Sequence, residues 1–218
     1  ISGSQLVLRL ARGSLPMALQ SALTQSDADQ AENEFTLRVN DYAEVEPILA
    51  ILRESGAVLR SIDVRTFDLP RVRRAVFSLC ERTLALEHAT QRAADPKGYS
   101  PAMQSMLDYG ARLTEADCLR FEQRIADFRE AWDASTAGLE ACITPTSPVT
   151  SVPHASPPPQ NIADLTVIAT AAGWPAASVP CEVAEGALPV GLQILAPAGQ
   201  DARVCALGMR LAAGSSEA

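Results

Sequence analysis

From Phe35 onward, apolar and polar positions fall into short runs with distinct periods. Phe35-Thr36-Leu37-Arg38-Val39 alternates, which predicts a strand with one buried face. Val45, Ile48, Leu49 and Leu52 then recur at helical spacing until Ser55-Gly56, and Ala57 to Val64 alternates again. Residues 35 to 64 therefore predict a β-α-β unit with parallel strands, because two strands joined by a crossover helix run the same way. Residues 69 to 93 predict a helix, with apolar side chains at Val72, Ala75, Val76, Leu79, Leu84 and Leu86, and the turn Asp95-Pro96-Lys97-Gly98 stops it. A second helix is expected from about Pro101 to Tyr109. A third starts at Thr114, where Thr114-x-x-Asp117 resembles a capping box with Asp in place of Glu, and Leu119, Ile125, Phe128 and Trp132 form its apolar stripe.

The texture then changes. Ala141 to Thr144 reads as a short buried strand, and the loop after it carries Pro145, Pro148, Pro153, Pro157, Pro158 and Pro159, which favour extended backbone; given the segments that follow, it reads as an ordered pocket-edge loop in preference to a domain-scale linker. Ile162 to Ala172 predicts a helix of small residues, Ala176 to Val183 a strand, Glu185-Gly186 a turn, Val190 to Leu195 a strand, and Asp201 to Ala213 an amphipathic helix. At the other end, Ser4 to Leu23 has mixed apolar spacing broken by Gly13 and Pro16 and reads as weakly helical, followed by a polar loop. Residues 1–34 stay unassigned, and residues 35–218 read as one α/β unit in which helices cover a mixed sheet.

Composition narrows the function classes. A chain of 218 residues with 47% hydrophobic and 20% charged residues and a mean hydropathy of +0.05 can bury a core without disulfide staples. A net charge of −8, offset only by the short cluster Arg71-Val72-Arg73-Arg74, argues against nucleic-acid and membrane-surface partners. The five cysteines, Cys80, Cys118, Cys142, Cys181 and Cys205, contain no Cys-x-x-Cys spacing, which predicts neither a disulfide framework nor a zinc knuckle and fits a reducing cytoplasm. The longest uncharged run, Leu165 to Cys181, is interrupted by Gly173, Pro175 and Pro180 and predicts no membrane span. Leu6 to Arg12 is broken by Arg9 and does not read as a signal peptide. His88 and His154, the only histidines, cannot form a three-histidine zinc site and are expected to be packed or solvated, and Cys181 reads as a small buried strand residue in preference to a nucleophile. The alternating charges Arg120, Glu122, Arg124, Asp127, Arg129 and Glu130 read as a solvated helix face.

One pair of motifs carries chemistry. Gly173-Trp174-Pro175-Ala176-Ala177-Ser178-Val179-Pro180 precedes Leu188-Pro189-Val190-Gly191-Leu192-Gln193, and upstream stands Ala141-Cys142-Ile143-Thr144-Pro145-Thr146-Ser147-Pro148. From about Phe35 to Ala213 this order resembles the C-terminal half of the amidase signature family of serine hydrolases. The resemblance implies a mixed sheet covered by helices and hydrolysis of a carboxamide C–N bond through a serine acyl-enzyme, with no metal and no cofactor. It also implies a small-molecule amide substrate once the N-terminal half is present, in a protein that can be a homo-oligomer.

In that family a Gly/Ser-rich segment of the N-terminal half supplies the serine nucleophile, a bridging serine, a lysine base and the oxyanion hole. A serine hydroxyl needs a base to take its proton and dipoles to hold the developing oxyanion. Here Ser2-Gly3-Ser4 and Gly214-Ser215-Ser216 lie at the chain ends without glycine-rich flanks, and the only lysine is Lys97, in a turn where it is expected to be solvated. No residue is therefore assigned as catalytic. The chain, which starts at Ile1, reads as a truncation that is inactive in isolation. Thr146 and Trp174 are the candidate substrate-binding residues, with packing an equal role for Trp174. Gln193 is expected to be a hydrogen-bonded core residue, Gly173 to take a positive φ or allow tight helix–strand packing, Pro175 and Pro180 to mark strand ends, and Gly191 to permit a close backbone approach. The second reading is a non-catalytic binding or assembly module derived from the same scaffold, docking through an exposed apolar face.

Overall fold

Among the described residues six strands make one mixed sheet: β1 (Ser4–Leu10), β2 (Asn33–Val39), β3 (Ala57–Arg60), β4 (Leu139–Pro145), β5 (Ala176–Cys181) and β6 (Val190–Leu195), in the order β1-β3-β2-β4-β6-β5. The computed structural model describes residues 4–10, 33–39, 57–60, 62–149, 152–181, 188 and 190–214. β2 runs parallel to β3, pairing Phe35 with Leu59, and parallel to β4, while β6 is antiparallel to both β4 and β5. The parallel pairing expected of the two strands in residues 35–64 is present. The helix expected between them and the Glu185-Gly186 turn lie outside the described residues.

Two strand expectations change. Ser4–Leu10, read as weakly helical, is β1, antiparallel to β2 and β3. Leu6, Leu8 and Leu10 share a period of two that Val7 disguises in the sequence, and pairing with a neighbouring sheet overrides a weak local preference. β3 stops at Arg60, and Val64–Phe67 instead form a 3-10 turn capped by Asp63, whose side chain accepts from the Arg65 backbone N–H at 3.0 Å.

Among the described residues the helices are α1 (Leu69–Glu87), α2 (Ala89–Ala94), α3 (Pro101–Arg112), α4 (Glu115–Ser135), α5 (Val167–Ala172) and α6 (Asp201–Gly214). The single helix expected over residues 69–93 is broken at His88, and Leu86 near its end is exposed. The turn after it forms as read, with Asp95 accepting from the Gly98 N–H at 3.2 Å. The Thr114–Asp117 capping box is closed in both directions, at 3.2 Å from Asp117 N to Thr114 Oγ1 and 2.9 Å from Thr114 N to Asp117 Oδ2. Of the predicted α4 stripe, Phe128 and Trp132 are buried and Ile125 packs against them, but Leu119 is 59% exposed. Helical spacing identifies a face, and only the crossing of neighbouring elements decides how far along the helix that face is covered.

α1, α4 and α5 lie together over one side of the sheet. Phe67, Phe128, Trp132 and Trp174 make a chain of aromatic contacts there with ring centroids 5.4–6.0 Å apart, joined by Cys142 and Leu195 from the sheet. Arg73 pairs with Asp164, and Arg129 donates from Nε and Nη2 to the Ala171 carbonyl, so α1 and α4 are both tied to the segment around α5. α6 covers the opposite side: a Cβ on its Gly208 would stand 3.4 Å from Val179 Cγ1, and Val204, Leu207 and Leu211 are buried. α1 and α3 cross at backbone contact, where a Cβ on Gly110 would lie 2.0 Å from the Glu81 carbonyl oxygen. Among the described residues no helix is long and apolar enough to cross a membrane.

Candidate functional site

The site is assembled where β4 leaves the sheet. Pro145 is the last β4 residue, yet the next backbone N–H, that of Thr146, still donates to the Gly191 carbonyl at 2.7 Å and stays fastened to β6. Register then places Thr144, Gln193 and Ser178 in one cross-strand row over β4, β6 and β5. Thr146 and Gly191 lie two residues further along, beyond the row of Pro145, Leu192 and Val179, and the Thr146 and Ser178 hydroxyls meet diagonally across Gly191 at 2.5 Å.

Gly191 is required by that meeting. A Cβ there would fall 2.8 Å from Thr146 Oγ1 and 2.9 Å from Ser178 Oγ. The close approach expected at Gly191 thus comes from two side-chain hydroxyls, and not from another backbone. Beside the dyad, Gln193 is 4% exposed, and its Nε2 donates to Thr144 Oγ1 and to the Leu165 carbonyl, both at 3.1 Å. It is the satisfied core amide that its strand position predicts, and it ties the sheet to the turn before α5. β5 is an edge strand with Ala176, Ser178 and Pro180 exposed, so the dyad is reached from solvent while Gln193 is not.

The two predicted substrate-binding residues are not brought together. Cys142, Leu195 and Ala176 share a row; Trp174 lies two residues before it and Thr146 four beyond it, on strands that run the same way. Six residues of extended chain separate their positions by about 20 Å. Trp174 is 9% exposed, and its ring meets Trp132 edge-on at 5.8 Å. One side of it borders an open concavity of about 530 Å³ shared with Arg129, Gly138 and Pro197. Gly173 before it takes the left-handed φ of 72° expected of it and ends α5. Pro175 precedes β5 as expected, whereas Pro180 is paired inside it with Gly191.

Lys97 is exposed on the turn after α2. His88 is packed, with Nδ1 3.0 Å from Tyr99 Oη, and His154 is exposed in the proline-rich loop. Cys181 is a buried strand residue. Ser178 was not singled out by the sequence, although it stands within the Gly-x-Pro motif; its partner is 32 residues away and only strand register joins them.

A buried ion pair stands at the other end of the sheet. Arg203 Nη1 on α6 approaches Glu140 Oε2 on β4 at 3.5 Å, but among the described residues Glu140 Oε2 and Arg203 Nε, both buried, have no hydrogen-bond partner. Burial pushes the Glu140 carboxyl above its ordinary value, and the Arg203 charge offsets this only in part.

The pattern of residues matches the family described as Amidase over residues 26–205. The chain belongs to the amidase family. The matched range begins inside the N-terminal segment that the sequence left unassigned. The match and the fold agree with the resemblance to the amidase signature group. A stretch of 81 residues is 38% identical to a subunit of the glutamyl-tRNA(Gln) amidotransferase of Synechococcus sp., covering 35% of this chain and 17% of that protein. Over 83 residues it is 40% identical to the same amidotransferase component in Salinispora tropica, covering 36% and 16%. Among solved structures, an amidase superposes with a TM-score of 0.65 at 19% identity, over 96% of this chain and 58% of the other. A bacterial aryl acylamidase of the amidase signature family gives 0.54 at 15% identity, over 67% and 34%. This chain thus spans somewhat more than half of one solved amidase and about a sixth of the curated relatives it matches.

Proposed function

We propose that residues 35–218 are the C-terminal portion of an amidase-type hydrolase that cleaves carboxamide C–N bonds of a small-molecule substrate through a serine acyl-enzyme. The family match over residues 26–205 carries this reading. The nucleophile, bridging serine and lysine base come from sequence outside these residues, since the one lysine here is exposed on a turn. This part contributes the sheet edge at Thr146 against which the acyl-amide group is held, and Trp174 acts from the opposite end by fixing the sheet to α4. The chemistry needs no metal or cofactor: a base-activated hydroxyl and oriented N–H dipoles suffice for acyl transfer. The cysteine spacing, with no Cys-x-x-Cys and no disulfide framework in the sequence, suits the cytoplasm.

The exposure of Lys97 favours a second reading for the 218 residues by themselves, a non-catalytic module of the same scaffold. One assay separates them. The chain alone is expected to release no ammonia from simple carboxamides. A form extended by an in-frame Gly/Ser-rich segment bearing a further lysine is expected to do so, and to lose that activity when the added lysine is changed to Met. Ammonia release by the 218 residues alone would refute the proposed division of labour, and an extended form inert on every carboxamide would leave the non-catalytic reading.

A further inference from the structure

The Thr146–Ser178 dyad has the donor and acceptor balance of a carboxamide receptor. Each hydroxyl brings one O–H and two lone pairs. At 2.5 Å one O–H is spent between the two oxygens, leaving a single outward donor and free lone pairs on both. Among the described residues neither hydroxyl has another hydrogen-bond partner. Both oxygens are held in place, Thr146 by its backbone bond to Gly191 and Ser178 by its register opposite Gln193. Ser178 is exposed on the edge strand and Thr146 half-buried beside it.

We propose that this dyad, seated over Gly191, is the hydrogen-bonding site for the substrate's carboxamide and selects it over the corresponding ester. The proposal rests on the amidase reading and gives that site its specificity. The outward O–H donates to the amide C=O, and a hydroxyl lone pair accepts from the amide N–H. An ester supplies no N–H, so one contact is lost and a lone pair is desolvated without a partner. A polar site that pairs with a substrate group rejects the analogue lacking it. The carboxylate formed by hydrolysis likewise offers acceptors only, which favours its release. Gly191 is the residue that makes the dyad: any side chain there occupies the space of both oxygens.

The test is a titration of the full 218-residue chain with benzamide and, separately, methyl benzoate, read by chemical-shift changes of the backbone amides of Gly191 and Ser178. Benzamide is expected to bind about tenfold more tightly than methyl benzoate, and Ser178→Ala to remove that preference, the effect of one hydrogen bond. Thr146→Ser, which keeps the hydroxyl, is expected to retain the preference, and Thr146→Val to lose it. Unfolding curves for each variant separate lost binding from lost fold, and the near-isosteric Ser178→Ala decides if Thr146→Val fails to fold. Benzamide affinity in Ser178→Ala and Thr146→Val within twofold of the unchanged chain, equal affinity for the two ligands, or no benzamide binding at all would overturn the proposal. If the variants bind normally while the extended form still releases ammonia, the dyad is wrong and the amidase reading stands. If the dyad binds benzamide and no carboxamide is hydrolysed, the reverse holds.

Discussion

The two ends of the β4-β6-β5 sheet are built from the same motif and do different work. At the end where β5 begins, Trp174 is 9% exposed and joins a chain of four aromatic rings. At the other end, Ser178, four residues further along, stands exposed and meets Thr146 over a glycine. Packing end and polar end are thus divided along one short strand, because alternation and twist carry successive residues of an edge strand from beneath a helix layer to open solvent. A conspicuous aromatic is weak evidence for a ligand when a second tryptophan lies 5.8 Å from it.

Trp174→Ala tests this division most strongly. It is expected to destabilise the protein by about 3 kcal/mol, through lost burial and a cavity beside Trp132, while leaving benzamide affinity unchanged. Chemical denaturation and the same titration check both halves, and an affinity loss without a stability loss would return Trp174 to the binding surface. Gln193→Ala joins the two ends and is expected to cost about 2 kcal/mol, because the Thr144 hydroxyl and the Leu165 carbonyl each lose a buried donor. Ser178→Ala should do the opposite of Trp174→Ala: stability within about 0.5 kcal/mol of the unchanged chain, and benzamide affinity down about tenfold.

Smaller effects fall outside the dyad. Thr114→Ala removes the α4 cap and is expected to lower stability by about 1 kcal/mol without touching ligand affinity. pH separates Asp117 from Glu140. Hydrogen bonds from Thr114 hold the half-buried Asp117 carboxyl down to about 2, so its contribution is full above its ordinary 3.8 and is lost as pH falls from there towards 2. Glu140 is raised instead: the folded chain binds its proton more tightly than the unfolded chain. Its favourable contribution is complete below the ordinary 4.5 and disappears as pH rises through the higher folded value. Unfolding followed across acid pH should lose the first slope in Asp117→Asn and the second in Glu140→Gln; a slope that persists in its variant refutes that assignment.

Much of this was legible in the chain. The capping box, the turn at Asp95, the strands around Ile143, Ser178 and Ile194, the positive φ of Gly173 and the internal bonding of Gln193 all rest on interactions within a few residues or on burial of a patterned face. Leu119 misled because a helical stripe does not say where its cover ends, and Ser4–Leu10 because a strand partner outweighed weak local periodicity. Motifs around Thr146, Gly173 and Gly191 by themselves pointed to the family that the match over residues 26–205 shows. What only the tertiary structure decided is that Thr146 belongs with Ser178 and not with Trp174. That choice depends on the register of β4 and β5 against β6, backbone pairings that bring Thr146 to a partner 32 residues away and that no local pattern of side chains encodes.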